Sequence, residues 1–576
     1  MKKRILCLAL CAIMVFACFI GCEEESREEI MNKIGMEASE KASTVTMYLL
    51  AEEKVSAEQE AIIEAGVNEI MATYDVYLDL VYKTADEYYD ALEKNLKTMN
   101  DKAEEEKEAK KNKNNKNNKD TTASTDATTD TDKKYLYIDE NGLPTVYYPP
   151  NPEYHVDIFY FSGYDKYVKY RDAGYLADFS TPIKDTNAKA IKHGVSTVLY
   201  NAVKTLNGKY DMMPTNTQVG EYTYLLLNKE LLASTQYKSS EIGSLLTDNC
   251  ADFLKIVNDY YTDYVPLYSS EGVLTTDTVK FLGANSNGFA SDDFSLIAGS
   301  YSRLWKYGEK DQYPVMGKIT DVADNGTVSV KDQILKLKDY EFNGYYATDA
   351  EKDKPFAVGY VKGDITLPEQ YADEYEVIVL ETPTLESEAL YENAFAISKY
   401  TKTLSTTALV LSEIYTNETI INLLAHGVEG TNYEWVDSDM RNETTYELYK
   451  VIKPIVDDDL KYVYKMDPAK IGNAAKAYPT VNDDPRRTDN ILEQNYQASP
   501  SLTLDFMIYN LKGVEANDAA IKTVAEYSAQ AEKLLIDAKD VDALNAAFAQ
   551  IDEMYATAEM VNALKVLTDP YEKALK

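Results

Sequence analysis

The chain of 576 residues carries 59 Lys and Arg against 96 Asp and Glu, a formal net charge of −37. This length accommodates two to four domains of roughly 100–200 residues each. Because no basic surplus is present to neutralise phosphates or anionic headgroups, the composition excludes a nucleic-acid binder and a basic membrane-adhesive surface. Tyrosine dominates the aromatic residues, with 48 Tyr against 14 Phe and 2 Trp.

The N-terminal segment has the pattern of a bacterial export signal. Three basic residues at 2–4 precede an apolar stretch at 5–20, which is shorter than the roughly 20 residues of a transmembrane helix. The stretch ends in Phe19-Ile20-Gly21-Cys22, which resembles a lipobox with Cys22 as the lipidated residue; an ordinary secretory signal with a stray cysteine is the alternative. We therefore expect a signal peptide at 1–21, a lipidated tether at 22–40, and a protein anchored on the extracellular face of the cell membrane. Only Cys250 then remains unmodified, which excludes an intramolecular disulfide.

The first half of the mature chain alternates strands and helices. Periodicity predicts a strand at 43–50, a helix at 56–74, a strand at 76–81 and a helix at 85–99, which is typical of a parallel α/β sheet. The segment 102–134 is almost devoid of apolar residues and is predicted to be disordered. A hairpin at 135–148 and a buried strand at 155–161 follow, with Asp157 interpreted as structural.

The second half continues with predicted strands at 221–227, 356–360 and 375–380. The segment 388–426 is predicted to be mostly helical, and the chain from about 517 onward is strongly helical. No nucleotide-binding glycine motif, zinc-binding HExxH, CxxC or GxSxG motif is present. Because only three histidines occur and each is isolated, we predict no metal site, no cofactor and no catalytic residue.

Several segments, in chain order, resemble the extracellular solute-binding lipoproteins of bacterial ABC importers, in the carbohydrate-type family 1. NGKYDMMPTNTQVGEYTYLLLNKELL (207–232) is similar to the family's crossing between lobes, and LLAHGVEGTNYEW (423–435) is similar to the YGvEGkdY motif of a lipoprotein subgroup. HVDIFYF with the GYLADF that follows, PFAVGYVKGD, NAFAISKYTKT and IGNAAKAYP (471–479) also resemble family segments.

The resemblance implies an α/β, two-lobe periplasmic-binding-protein-like (type 2) fold with a hinge and a helical C-terminal region. It places the first lobe at 41–225, the second lobe at 226–378, a return to the first lobe at 379–428, and the second lobe with the C-terminal helices at 429–576. One solute would bind in the cleft between the lobes.

Aromatic and acidic residues that follow strands are the predicted ligand contacts, because rings stack on the C–H faces of sugars while acids and amides take the hydroxyls. Each tyrosine could equally be a core residue, and Gly427 and Gly430 are interpreted as turn glycines. The predicted ligand-binding residues are Tyr48, Glu52, Tyr164, Asp165, Gln218, Glu221, Tyr222, Trp305, Tyr345, Tyr346, Tyr433 and Trp435.

The function that follows is solute capture, with an oligosaccharide as the favoured ligand, and delivery to an ABC permease by a monomeric, non-enzymatic protein. The partners would be the solute, the permease subunits and, through the lipid anchor alone, the membrane. A surface glycan-binding adhesin, a glycoside hydrolase, and an importer component for a peptide or other polar solute remain the alternatives.

Overall fold

The structure is a computed structural model that describes residues 43–116, 135–138, 144–148, 150–185, 187–203, 209–270, 272, 301–305, 314–318, 330–385, 387–442, 445–500 and 515–574. The chain divides into two compact units. Unit 1 contains residues 1–204, 208–217 and 391–489, and unit 2 contains residues 205–207, 218–390 and 490–576.

The strands are numbered in chain order. They are β1 Ser43–Ala51, β2 Val76–Thr84, β3 Tyr135–Ile138, β4 Pro144–Tyr147, β5 Ile158–Phe161, β6 Met213–Pro214, β7 Tyr222–Asn228, β8 Val265–Ser269, β9 Tyr301–Trp305, β10 Pro314–Lys318, β11 Phe356–Gly363, β12 Tyr375–Glu381, β13 Thr384–Leu385, β14 Ala394–Ile397, β15 Tyr433–Arg441, β16 Leu448–Pro454 and β17 Ser499–Pro500.

The α-helices are α1 Ala57–Met71, α2 Ala85–Lys116, α3 Tyr164–Asp172, α4 Ser180–Asp185, α5 Ile191–Gly194, α6 Thr197–Ala202, α7 Lys229–Thr235, α8 Ser239–Ile242, α9 Asp248–Tyr260, α10 Val330–Phe342, α11 Leu367–Tyr371, α12 Ser387–Glu392, α13 Leu404–Thr416, α14 Glu418–His426, α15 Arg487–Gln497, α16 Glu515–Asp537, α17 Val541–Tyr555 and α18 Ala558–Ala574. Short 3₁₀ turns lie at Ala72–Tyr74, Asn187–Ala190, Pro468–Lys470 and Ala474–Lys476.

Unit 1 is built on a five-stranded sheet in the order β2-β1-β5-β14-β6. The first three strands are parallel, as the alternating strands and helices predict, because a helical crossover returns each strand in the same direction. β14 lies antiparallel between β5 and β6 and comes from the part of the chain that returns from unit 2. This order confirms the predicted α/β class.

Asp157 joins the segment before β5 to β1. Its carboxylate accepts a hydrogen bond from the backbone N–H of Thr46 at 2.9 Å and another from the side-chain amide of Asn151 at 3.3 Å. His155 Nε2 lies 2.9 Å from the other carboxylate oxygen. The structural role predicted for Asp157 is therefore confirmed, because a buried carboxylate is stable only when its oxygens are hydrogen-bonded.

Unit 2 contains a four-stranded sheet in the order β12-β7-β11-β8. Both faces of β7 are buried, since Leu225 and Leu227 pack in one apolar cluster while Tyr224 and Leu226 pack in another. The first cluster includes residues of α16, α17 and α18, which confirms the predicted helical C-terminal region. The second cluster is aromatic, with Phe356 and Tyr375 stacked 4.5 Å apart.

The division into units differs from the one drawn from the sequence. The chain leaves unit 1 after Thr217 and again after Asp489, so residues 429–489 group with unit 1 rather than with the second lobe. Long-range hydrogen bonds account for this: Asn432 donates to Gln59 Oε1 at 2.7 Å, and Asn216 donates to Asn473 Oδ1 at 3.0 Å.

One local prediction was wrong in part. Helix α2 continues to Lys116, so residues 102–116 are helical rather than disordered; a nucleated helix propagates through Glu–Lys pairs such as Glu104 and Lys107, which lie 3.0 Å apart. The rest of the segment predicted to be disordered, 117–134, lies outside the described residues. The stretch 388–426 is mostly helical, as predicted, because α12, α13 and α14 cover most of it. It is interrupted by strand β14, whose short apolar run does not distinguish strand from helix by itself.

Candidate functional site

Unit 1 contains a partly open cavity of about 250 Å³ whose walls are rich in aromatic rings. We call it the aromatic pocket. Every lining residue comes from the chain between the end of α14 and the start of α15. They are Ala425, His426, Asn432, Tyr433, Ile452, Pro454, Tyr462, Tyr464, Lys465, Met466, Pro468, Tyr478, Thr480, Asp483 and Arg487.

A tight turn after α14 positions the first two rings. Gly427 ends the helix with a φ of +78°, and an added Cβ there would collide with the side chain of Asn432. Asn432 Oδ1 accepts from the N–H of Val428 at 2.8 Å, and Gly430 has a φ of +79°. Because L-residues rarely adopt these angles, the turn requires both glycines, and Tyr433 follows it at the start of β15. This geometry supports the interpretation of Gly427 and Gly430 as turn glycines.

Four rings pack together at the pocket. His426 and Tyr478 lie parallel with centroids 6.4 Å apart, and Trp435 contacts Tyr478 at 4.7 Å. Tyr433 meets Trp435 edge-on at 5.8 Å. Such mutually packed rings hold one another in fixed orientations and present an apolar surface with polar atoms at its border. A flat solute with C–H groups on one face and hydroxyls at its edge matches such a wall.

His426 is a neutral side chain with an open acceptor. Burial, together with the nearby charge of Arg487, lowers the pKa of His426 to about 4, while a hydrogen bond to the backbone of Tyr478 opposes this shift. His426 Nε2 is buried and has no hydrogen-bond partner among the described residues. Since a neutral imidazole has one donor and one acceptor nitrogen, Nε2 is the nitrogen left to accept a hydrogen bond.

Two cations line the pocket, and they differ in their partners. Lys465 Nζ lies 2.8 Å from Glu52 Oε2 and 5.4 Å from the centroid of the Tyr462 ring. Arg487 Nη1 donates to backbone carbonyl oxygens at 3.1 and 3.4 Å, and no carboxylate lies within ion-pair distance of its guanidinium in the described part of the chain. Burial lowers the pKa of Arg487 below its usual value.

The structure brings three of the predicted contact residues to this region. Tyr433 lines the aromatic pocket, Trp435 packs against its wall, and Glu52, which follows β1, reaches its rim through Lys465. These are residues from opposite ends of unit 1 in sequence, joined by the fold. Their assignment as ligand contacts stays a prediction.

Other predicted contacts of unit 1 lie elsewhere. Tyr48 lines a separate polar groove of about 790 Å³ on the β1 and β2 face, where its hydroxyl accepts from Asn95 Nδ2 at 2.6 Å. Tyr164 begins α3 and packs edge-on against Tyr391 at 5.0 Å, while Asp165 is exposed in the first turn of that helix.

The predicted contacts of unit 2 are divided between surface and core. Gln218 and Glu221 are exposed, and Tyr222 stacks on Tyr224 at 5.6 Å. Tyr345 and Tyr346 belong to the larger apolar cluster, which is a packing role. Trp305 is the last residue of β9, and its side chain lies outside the described part of the structure.

Sequence reasoning missed His426, Tyr478 and Arg487 as pocket residues. A signal was present for the first two, since His426 opens the HGVEG turn and Tyr478 closes the IGNAAKAYP segment. Nothing in the local pattern distinguishes Arg487 from its neighbour Arg486, which forms a two-bonded pair with Asp484 at 3.1 and 2.8 Å.

The described residues contain no group of three or more His, Cys, Asp or Glu side chains placed to hold a metal ion. None of the helices in the described ranges has the length and hydrophobicity that a transmembrane segment requires.

Comparison with known proteins finds similar solved structures at low identity. No protein-family profile matches the chain, and no curated protein sequence matches it. The N-glycan transport solute binding protein of Streptococcus pneumoniae is 16% identical, with a TM-score of 0.48 over 92% of this chain and 99% of that one. An HMO-binding, ABC-transporter-associated solute binding protein of Bifidobacterium longum infantis is 12% identical, with a TM-score of 0.48 over 92% and 99%. The N-glycan and HMO ligands in these two names belong to the similar proteins and are not assigned to this chain.

Proposed function

We propose that this protein is a solute-binding component of a bacterial ABC importer, which captures an oligosaccharide outside the cell and delivers it to a membrane permease. The aromatic pocket of unit 1 is the observation that carries this proposal. Its rings offer a surface for the C–H face of a sugar, and polar atoms at its border can exchange hydrogen bonds with sugar hydroxyls. The order of family-like segments along the chain gives the importer context.

The lining of the aromatic pocket favours binding over catalysis. Glycoside hydrolysis generally uses two carboxyl groups that flank the bond to be broken. Among the described residues that line the pocket, Asp483 is the one carboxylate, and its Oδ2 accepts two hydrogen bonds of 2.8 Å from Thr480. An acid held in this way orients a loop, which supports a non-enzymatic role.

A screen by thermal shift tests the ligand class. The protein would be produced without residues 1–22 and heated with oligosaccharides, amino acids and short peptides. A ligand that binds only the native state at 100 times its Kd stabilises it by about 2.7 kcal/mol, so a true ligand raises the melting temperature measurably. A shift with peptides and none with sugars would assign the protein to a peptide importer instead. Turnover of a glycan would establish a hydrolase.

A variant pair then tests whether binding occurs in the aromatic pocket. Tyr478→Ala removes the ring that contacts both His426 and Trp435, and we expect sugar affinity to fall about tenfold, which is about 1.4 kcal/mol. Tyr496→Ala is the matched control, because that tyrosine is 83% exposed. Equal affinities of the two variants in titration calorimetry would move the binding site away from the pocket.

Anchoring through Cys22 is part of the same proposal. Replacing Cys22 with Ala, or blocking the lipoprotein signal peptidase with globomycin, should release the protein from the membrane fraction. Retention of the Cys22→Ala protein in washed membranes would contradict a lipid anchor. If permease genes lie beside the gene for this protein, loss of import of the bound sugar when they are deleted would distinguish an importer from a surface adhesin.

A further inference from the structure

The Arg487 guanidinium lines the aromatic pocket and makes only two hydrogen bonds to described residues. A guanidinium has five N–H donors. The two bonds that the structure gives it both start at Nη1, to the carbonyl oxygens of Ala474 and Ala477. Nε and Nη2 have no acceptor among the described residues. Such donors, held next to a cavity, are available to a molecule that enters it.

Among the described residues, no carboxylate forms an ion pair with Arg487, although the chain has a net charge of −37. The adjacent Arg486 already has a two-bonded carboxylate partner in Asp484. At the pocket rim, Lys465 is paired with Glu52. Asp483, whose Oδ2 accepts from Thr480, and Asp467 attract the Arg487 charge from beyond ion-pair distance and partly oppose the lowering of its pKa by burial. A partly buried cation without a partner is costly, and an anion that supplies the missing hydrogen bonds removes that cost.

The other groups of the pocket define the rest of the ligand. The His426 Nε2 lone pair accepts from a hydroxyl, and the rings of Tyr433 and Tyr478 contact C–H groups. The cavity of about 250 Å³ is smaller than the roughly 300–1,000 Å³ of sites for drug-sized molecules, so it suits one sugar ring. The planar fork of a guanidinium matches a carboxylate through two parallel hydrogen bonds.

We infer that the aromatic pocket binds a sugar residue that bears a carboxylate, with the acid group on Arg487 and a hydroxyl on His426 Nε2. This inference rests on the proposed function and names the ligand class of that same site: an acidic oligosaccharide whose uronate residue occupies the pocket.

Titration calorimetry with paired sugars tests the inference. The probes are galacturonic acid and galactose, glucuronic acid and glucose, and the trisaccharides of each, so that every acid differs from its partner by a carboxylate in place of CH₂OH. We expect one acidic trisaccharide to bind at least tenfold more tightly than its neutral partner. That difference should shrink as salt is raised, because screening weakens a partly exposed ion pair.

Substitutions at Arg487 separate charge from general packing. Arg487→Gln should weaken binding of the acidic sugar at least tenfold more than it weakens binding of the neutral partner. Arg487→Lys, which keeps the charge and loses the fork, should fall between. Equal affinity of the wild type for acidic and neutral partners, or equal loss of both in Arg487→Gln, would overturn the inference and leave the proposed function standing. If Arg487→Gln does not fold, Arg487→Lys and the paired sugars still decide the question. Failure of every saccharide to bind the wild type would contradict the proposed function itself.

Discussion

Asn473 is the residue whose removal should weaken unit 1 most clearly. It lies in the IGNAAKAYP segment and is 1% exposed. Its Nδ2 donates to the carbonyl oxygen of Gly194 at 2.7 Å and to that of Tyr415, near the end of α13, at 2.9 Å. Its Oδ1 accepts from Asn216 Nδ2 at 3.0 Å. One side chain therefore ties together three segments that are distant in sequence.

Asn473→Ala leaves two buried carbonyl groups and one buried amide without this partner. A hydrogen bond contributes about 1 kcal/mol net, and a buried polar group left unsatisfied costs about 1–3 kcal/mol, so we expect a loss of at least about 3 kcal/mol. For a unit of about 300 residues, an unfolding entropy of roughly 2.1 cal/mol/K per residue makes 1 kcal/mol worth about 1.5 °C. The melting temperature of unit 1 should fall by about 5 °C.

Differential scanning calorimetry of the protein without residues 1–22 measures this shift. Asn482→Ala is the matched control, because Asn482 is exposed in the same region and its substitution should change the melting temperature by less than about 1 °C. If Asn473→Ala melts within 1 °C of the wild type, the three hydrogen bonds do not stabilise the unit by about 3 kcal/mol.

Three further predictions concern other buried positions. Burial raises the pKa of Glu381 to about 8, so the native state binds its proton more tightly than the unfolded chain does, and the resulting stability is lost as pH rises from about 4.5 to 8. Glu381→Gln should therefore have a higher melting temperature than the wild type, by a margin that grows across that pH range. Glu376→Gln, which changes an exposed residue of the same strand, should not. Parallel curves of melting temperature against pH for all three proteins would refute the raised pKa of Glu381. Burial raises the pKa of Cys250 to about 12. In the protein without residues 1–22, a maleimide should therefore label this thiol only after denaturation. Rapid labelling of the native protein would contradict the burial of Cys250. Gly472→Ala should lower the free energy of unfolding in urea by more than about 2 kcal/mol, because Gly472 has a φ of +41° and an added Cβ would collide with the Ile414 carbonyl oxygen. An unchanged urea midpoint would show that the backbone around residue 472 can shift to relieve the collision.

The local elements and the α/β class of the fold were predictable from the amino-acid sequence alone. Helical spacing predicted α1 within two or three residues of its observed bounds, Ala57–Met71, because a helix that buries one face must repeat apolar residues every three or four positions. The alternation of strands and helices predicted a parallel sheet, and β1, β2 and β5 do pair in parallel, because a helical crossover returns each strand in the same direction. The local sequence pattern predicted neither β14 nor the charged end of α2. β14 forms by pairing with β5 and β6, and α2 extends into the charged segment by helix propagation.

Only the tertiary structure decided which residues share a site. Tyr433 and Trp435 were identified from sequence, yet most of the residues that line the pocket come from 425–426, 452–454 and 462–487. Glu52 reaches the rim through its ion pair with Lys465. The burial of His426 and the hydrogen bonds of Arg487 to backbone carbonyl oxygens depend on the packing of segments that no local sequence period relates. The local sequence specifies which side chains lie close together within one helix, strand or turn. The distances between segments far apart along the chain are set by the packing of the folded unit.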